Sequence, residues 1–320
     1  MTLSVEAGAD LMRNLRAAVE TRIVGQEDAI DDALVVFLAR GHMLIEGVPG
    51  TAKTLLVRTL ASALGMRFKR VQFTPDLMPS DLTGVSMLRD PAKGFEFQPG
   101  PIFTHLLLGD EINRAPAKTQ SALLEAMAER RVSTDGVTRP LDELFTVFAT
   151  QNPVEHEGTY PLPEAQLDRF LLKSIMSYPS REAELEMLSH HEQGFDPEQA
   201  TADLLPTMID EAQARALRGM VDGVRVVPEV REYITAITRA TRDETALSLG
   251  ASPRATVALM RAARAAAVLE GRTYASPDDV KARVLSVLRH RVTLSPELEV
   301  EGRSTDDVLS AILLRIPAPT

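Results

Sequence analysis

Leu11, Leu15, Val19 and Ile23 recur at helical spacing, so the chain opens with a helix that lays one apolar face on a core. The segment Ile23-Val24-Gly25-Gln26 interrupts it. A second amphipathic helix then runs through Ile30, Leu34 and Leu38 and stops at Gly41. Met43, Leu44 and Ile45 predict a short buried strand, followed by a turn rich in Gly and Pro and a helix carrying Leu55, Leu56, Val57 and Leu60. Met66 to Phe73 predicts a second strand. Val85 to Leu88 and Phe95 to Phe97 alternate about residues 90–94 as a small hairpin, closed by Pro99-Gly100-Pro101. His105 to Glu111 is nearly continuously apolar until its last two residues, the pattern of a parallel strand buried on both faces. A helix with Leu123, Leu124 and Met127 follows, then a hairpin turning at Asp135-Gly136. Phe145 to Ala149 predicts a fourth strand, Pro163 starts a short helix, and Leu171 to Met176 predicts a fifth strand.

Past about Tyr178 the strands vanish. Helices rich in Ala, Arg and Leu run to the end, with starts at Pro228, Ser252-Pro253 and Ser276-Pro277-Asp278-Asp279. The expected fold is α/β: five parallel strands flanked by helices over residues 1–178, with hairpins at 84–99 and 131–141, and then an all-helical domain over 179–320. The Met and Leu stripes are read as core.

Composition narrows the function classes. With 35 Lys and Arg against 45 Asp and Glu, the net charge of −10 speaks against a broad nucleic-acid face, which needs clustered cations. The absence of Cys excludes disulfides, zinc-thiolate sites and thiol catalysis. The longest apolar run, Leu34 to Ala39, is too short to span a bilayer, and the first residues lack the basic and apolar regions of a signal peptide. A cytoplasmic protein without membrane insertion is expected.

The strand-turn-helix at residues 43–60 carries the first candidate chemistry. Gly47, Val48, Pro49, Gly50, Thr51, Ala52, Lys53 and Thr54 fit the spacing of a phosphate-binding loop, except that Ala52 stands where the generic pattern has its last Gly. Backbone N–H groups of such a loop, with Leu55 in the first helical turn, wrap phosphates at a helix N-terminus. Lys53 would reach the outer phosphates, and the Thr54 hydroxyl would hold Mg²⁺. A plain strand-turn-helix with a solvated lysine would show the same residues. A left-handed backbone costs an alanine about 1 kcal/mol, so residue 52 is expected to be right-handed. Asp110 and Glu111 end a strand at the edge of a parallel sheet where ligands bind. Asp110 can hold Mg²⁺ through water, and Glu111 can polarise a water for attack on a γ-phosphate. Two solvated acids at a strand end are the alternative. Asn152 ends the next strand, where an amide can bridge phosphate and water, or can simply make an Asn-Pro turn. Glu155-His156-Glu157 and His190-His191 are read as solvated, since adjacent residues rarely converge on one metal ion.

The runs Gly47 to Thr54, Asp110 to Pro116 with Lys118 to Met127, Ala149 to Pro153 and Gly158 to Phe170 together resemble the MoxR family of AAA+ ATPases. The resemblance covers nearly the whole chain. Within that family Ala before the loop lysine is usual, while Gly109 stands where Ala is often found. The resemblance implies that Val24, Gly25 and Gln26 lie beside an adenine, that Asn152 is a first sensor, and that Arg169 is an arginine finger supplied to a neighbouring subunit. It implies that Arg254 is a second sensor at the start of a lid helix, and Gln72 is a candidate restraint on Glu111. A planar, always-charged guanidinium suits phosphate oxygens in both arginine roles. Ser252-Pro253 sets Arg254 in a first helical turn, where a cation opposes the dipole and a phosphate would compensate it. ATP and Mg²⁺ are the implied ligands, bound between the two domains. The implied function is ATP hydrolysis that remodels partner proteins, often ones with von Willebrand A domains, by a ring that is commonly a hexamer. The two hairpins would move against the client. A nucleic-acid motor on the same fold and a nucleotide-gated scaffold with little turnover are the other readings.

Overall fold

The computed structural model describes residues 3–90, 94–152, 159–195 and 204–319. Two helices come first, α1 (Val5–Glu20) and α2 (Glu27–Leu38), followed by β1 (Met43–Gly47), α3 (Lys53–Ala63), β2 (Phe68–Gln72) and the short α4 (Pro79–Thr83). A hairpin of β3 (Gly84–Asp90) and β4 (Gly94–Pro99) precedes β5 (Leu106–Asp110) and α5 (Ala117–Glu129). A second hairpin, β6 (Arg131–Thr134) and β7 (Val137–Pro140), leads into β8 (Thr146–Gln151), α6 (Glu164–Leu167) and β9 (Leu172–Met176). The remainder comprises α7 (Arg181–Glu192), α8 (Glu211–Gly223), α9 (Pro228–Asp243), β10 (Leu247–Leu249), α10 (Pro253–Leu269), α11 (Pro277–Leu288), β11 (Thr293–Leu294), α12 (Pro296–Val300) and α13 (Thr305–Arg315).

The five-stranded sheet has the order β2-β5-β8-β1-β9, and its paired strands are all parallel. Side chains alternate between its faces, as the period of a strand requires. Leu44, Leu107 and Val147 join one apolar cluster with Phe73 and Phe170, while Met43, Ile45, Leu106, Leu108 and Phe148 join the other. Because every strand runs the same way, the C-terminal ends of β5, β8 and β1 share one edge. That edge brings residues 110–111, 150–152 and 47–54 together from distant parts of the chain.

The second cluster is shared between domains. It extends without a break from Met12 through the sheet to Leu309, so the C-terminal helices are docked on the α/β unit rather than tethered to it. Helix α10 packs on α1, α2, α8, α9 and α11. Helix α2 is therefore buried nearly all round, from Ala29 to Leu38, and not amphipathic as its spacing predicts. Asp32 on α2 pairs with Arg283 of α11 at 2.9 Å, which offsets part of the cost of burying both charges.

Several expectations need correction. The C-terminal region is helical, but β10 and β11 pair as a short antiparallel ribbon, so strands do not vanish after Tyr178. Helix α2 is turned by Arg40 in a left-handed conformation (φ 52°) rather than by Gly41; a Cβ on Gly41 would lie 2.6 Å from the Leu171 side chain. The glycine is kept for close packing. The large apolar residues of α7 are not core: Leu185, Met187 and Leu188 are exposed, and only Ala183 of this helix is buried. Asp135 and Gly136 both have positive φ (53° and 74°), as a two-residue hairpin turn requires. The turn of the first hairpin, residues 91–93, lies outside the described residues, as does Glu155-His156-Glu157.

Candidate functional site

Helix α3 begins at Lys53, and its N-cap residue, Ala52, has no side-chain acceptor to offer the leading N–H groups, which point out of the helix end. The residues before it fold into a tight loop. Thr51 Oγ1 donates to Val48 O (3.0 Å), and Lys53 Nζ donates to Gly47 O and Val48 O (2.5 and 2.8 Å). A Cβ on Gly47 would lie 2.4 Å from Met176 O, so only glycine lets the loop leave β1 this close to β9. Gly50 takes φ +86°, and a Cβ built there would meet no atom within 4 Å. The loop is open to a phosphate on that side.

Ala52 overturns an expectation. Its φ and ψ are 62° and 20°, left-handed, and it serves as the N-cap of α3. Turning the chain from the loop into the helix requires that conformation, and the surrounding packing offsets a local cost of about 1 kcal/mol. Among the described residues five non-glycines have positive φ, and three of them end helices or turn a hairpin. The other two are Ala52 and Glu111 (φ 56°). Backbone strain is thus gathered at the loop and at the end of β5.

The carboxylates at that end are tightly held. Thr150 Oγ1 donates to Asp110 Oδ1 (2.5 Å) and accepts the Glu111 N–H (2.9 Å), tying β8 to β5. Arg70 donates from Nε and Nη2 to Asp110 Oδ2 at 3.1 and 2.6 Å. Gln72 Nε2 donates to Glu111 Oε2 (2.7 Å), the contact considered from the sequence, and Arg114 Nη1 donates to the same oxygen (3.0 Å). Asn152 is buried just beyond β8. Gln120, fully buried, donates to Ile112 O, Ala115 O and Tyr160 O, and so braces the turn that follows Glu111. Arg70 lies outside the motif runs, and Arg114, Thr150 and Gln120 lie inside them without a role that a motif assigns. Their roles depend on pairing register and on contacts across up to 40 positions, although Arg70 and Gln72 do share one face of β2 by their spacing.

Next to the loop lies a cleft of about 450 Å³. Ile23, Val24, Gln26, Gly50, Thr51, Ala52 and Leu55 line one side, and Met187, Leu188, His190, His191 and Phe195 line the other. The cleft thus lies between the α/β unit and α7. Gln26 donates to Ser177 O (2.9 Å), and Gly25, at φ +71°, lets α7 approach where a Cβ would lie 2.7 Å from Ala183 Cβ. Arg22 stacks on Phe195 with 4.7 Å to the ring centre. His190 is half-buried at the cleft rim, and His191 is exposed as expected. An apolar slot beside a capless helix start suits a flat heterocycle carrying phosphates. Thr54, in the first turn of α3, and Asp110 supply the oxygen donors that Mg²⁺ prefers.

Arg169 and Arg254 are elsewhere. Neither lines the loop cleft; both line a separate cleft of about 470 Å³ with Arg40, His42, Arg130, Asp168, Arg261 and Arg291. Arg169 Nη1 donates to Leu124 O (2.6 Å). Asp168 accepts from Arg291 Nε (2.7 Å) and Ser252 Oγ (3.2 Å), and Arg254 Nη1 lies 3.9 Å from it. Helix α10 starts where expected, with Ser252 as its cap and Arg254 in its first turn. The Arg254 side chain is 64 % exposed and so can turn to an outside anion.

Residues 42–172 match the family model of the ATPase family associated with various cellular activities (AAA), and residues 239–312 match an AAA lid domain. The uncharacterised protein YeaC of Bacillus subtilis is 47 % identical, over 93 % of this chain and 91 % of its own. Chaperone MoxR1 of Mycobacterium tuberculosis is 43 % identical, over 95 % and 82 %. The crystal structure of a protein from Cytophaga hutchinsonii assigned as an ATPase superposes with a TM-score of 0.88 at 39 % identity, covering 98 % of this chain and 96 % of that one. With these relatives, this parallel sheet and a helical lid behind it, the chain belongs to the MoxR family of AAA+ ATPases.

Proposed function

We propose that the chain hydrolyses ATP as part of a ring, commonly a hexamer in this family, and uses the cycle to remodel partner proteins in the cytoplasm. The loop N–H groups and Lys53 bind the phosphates, and the slot by Val24 and Gln26 takes the adenine. Thr54 and Asp110 would hold Mg²⁺, whose chemistry when bound is to neutralise charge on the phosphate oxygens. Glu111 orients and polarises the attacking water, and Asn152 positions it against the γ-phosphate. Arg169 and Arg254 reach the nucleotide of the adjacent protomer. Partners with von Willebrand A domains are the client class we favour, met by the two hairpins.

The observation that carries this reading is the separation of the two clefts within one chain. The groups that bind phosphate and those fit to stabilise its transition state face different surfaces, so one chain holds two halves of different sites. The deciding experiment mixes two inactive variants. Arg169→Ala and Glu111→Gln each abolish steady-state turnover, and together they regain part of it, because some interfaces combine an intact Glu111 with an intact Arg169. Mixtures as inactive as the separate proteins would rule out the shared site.

A further inference from the structure

On the β2 side of the site, one side chain is left unused by the reaction just described. Arg70 stands two residues before Gln72 on β2, the edge strand, and both face the end of β5. Its Nε and Nη2 converge on one oxygen, Asp110 Oδ2, at 3.1 and 2.6 Å, and Nη2 also donates to Gln72 Oε1 at 3.1 Å. Gln72 in turn donates to Glu111. The second Asp110 oxygen accepts from the Thr150 hydroxyl, which fills one of its acceptor positions. A carboxylate oxygen offers two lone pairs, so the guanidinium fills both acceptor positions of Oδ2. A divalent cation, or a water bound to it, that approaches Oδ2 has to take one of them back, and one that uses the position left on Oδ1 meets the guanidinium charge beside it.

The two partners differ in their freedom to move. The Asp110 side chain is 11 % exposed and pinned by Thr150, whereas the Arg70 side chain is 49 % exposed. Two cations cannot crowd one carboxylate oxygen without strong repulsion, and it is the arginine that can withdraw into water. Its withdrawal removes the donor that fixes Gln72 Oε1, and hence the orientation in which the Gln72 amide holds Glu111.

We propose that Arg70 is a tethered competitor for the divalent cation at Asp110, and that its displacement loosens Glu111 through Gln72. This rests on the ATPase reading above and adds a positioning residue to it. Metal arrival thereby loosens one of the two donors on Glu111 Oε2 and leaves Arg114 as the other.

The test measures binding, not turnover. For the full chain, the Kd of a fluorescent, non-hydrolysable ATP analogue is taken in EDTA and in saturating Mn²⁺, and the ratio of the two is the metal's coupling to nucleotide. Taking a ratio cancels any direct pull of Arg70 on the phosphates. Arg70→Gln raises the ratio about threefold to tenfold, the worth of a partly exposed, charge-assisted pair. Arg70→Lys raises it by less, because an ammonium keeps the charge but cannot span Asp110 and Gln72 together. Should the Gln variant fail to fold, the Lys variant carries the test. A ratio that stays level or falls in the folded variants overturns the assignment of Arg70 and leaves the ATPase reading intact. A wild-type chain that binds no nucleotide overturns both.

Discussion

The strand end beside the phosphate loop and the arginine-lined cleft differ in how their charges are balanced. At the end of β5, each acid already has an arginine: Arg70 on Asp110 and Arg114 on Glu111. At the second cleft, Arg40, Arg130, Arg169, Arg254, Arg261 and Arg291 face a single lining carboxylate, Asp168. Arg130 and Arg261 donate instead to backbone oxygens at the end of α2, to Arg40 O and Ala39 O. Burial, with repulsion from neighbouring arginines (Arg40 for both, and Arg261 for Arg130), holds both guanidinium pKa values below the usual range. In a chain with net charge −10, so concentrated a positive surface attracts an anion from outside the protomer. The contrast teaches that the acids beside the loop are built to be competed for and the arginine cleft to be completed.

Substitutions should separate the clefts by the quantity they change. Arg254→Ala lowers turnover on the order of 10³-fold, as expected of an arginine that stabilises transferring phosphate, while the Kd for ATP in dilute, unassembled protein stays within about twofold. A loss of affinity in the unassembled chain would place Arg254 on its own nucleotide and break the comparison. Lys53→Ala does the reverse, weakening ATP binding about ten- to hundredfold by the loss of a charge-assisted contact. Calorimetry that finds unchanged affinity would remove Lys53 from the loop's function.

A third change probes the wall of the arginine cleft without touching phosphate. His42 is buried there, with Nδ1 accepting the Val147 N–H (2.9 Å) and Nε2 against Met127 O (3.2 Å). Burial among arginines lowers its pKa from 6.5 to about 3. The unfolded chain therefore takes up a proton that the folded chain refuses. Stability contributed by neutral His42 is present above pH 6.5 and is lost as pH falls from there toward about 3. Urea unfolding across pH 6 to 4 should show stability falling with pH, and His42→Gln should flatten that slope by about 1.4 kcal/mol per pH unit. Parallel slopes would mean that His42 is protonated in the fold. The smallest effect belongs to the loop. Ala52→Gly relieves the left-handed strain and stabilises the chain by about 1 kcal/mol, read from the urea midpoint. Destabilisation would mean that the alanine methyl contributes more to packing than the backbone loses.

The sequence by itself determined the parts whose causes are local. The strand at 43–47, the glycine turn and the start of α3 follow from neighbouring residues, as do the Asp135-Gly136 turn and the Ser252, Ser276 and Pro228 helix starts. The carboxylates at the end of β5 were legible for the same reason: an apolar run that stops at two acids marks a strand end. The family resemblance supplied candidates for Arg169 and Arg254, but spacing cannot say which cleft a side chain enters. That was decided by tertiary structure, because Asp168, Arg254 and Arg291 meet across more than 80 positions. The same holds for the burial of α2 nearly all round, between the sheet, α1 and the C-terminal helices, and for Arg70 on Asp110, which needs β2 laid in register beside β5. Ala52 is the sharpest case. Its own preference is right-handed, and the packing of the loop against β9 outweighs about 1 kcal/mol of local energy, which one residue's propensity cannot resist.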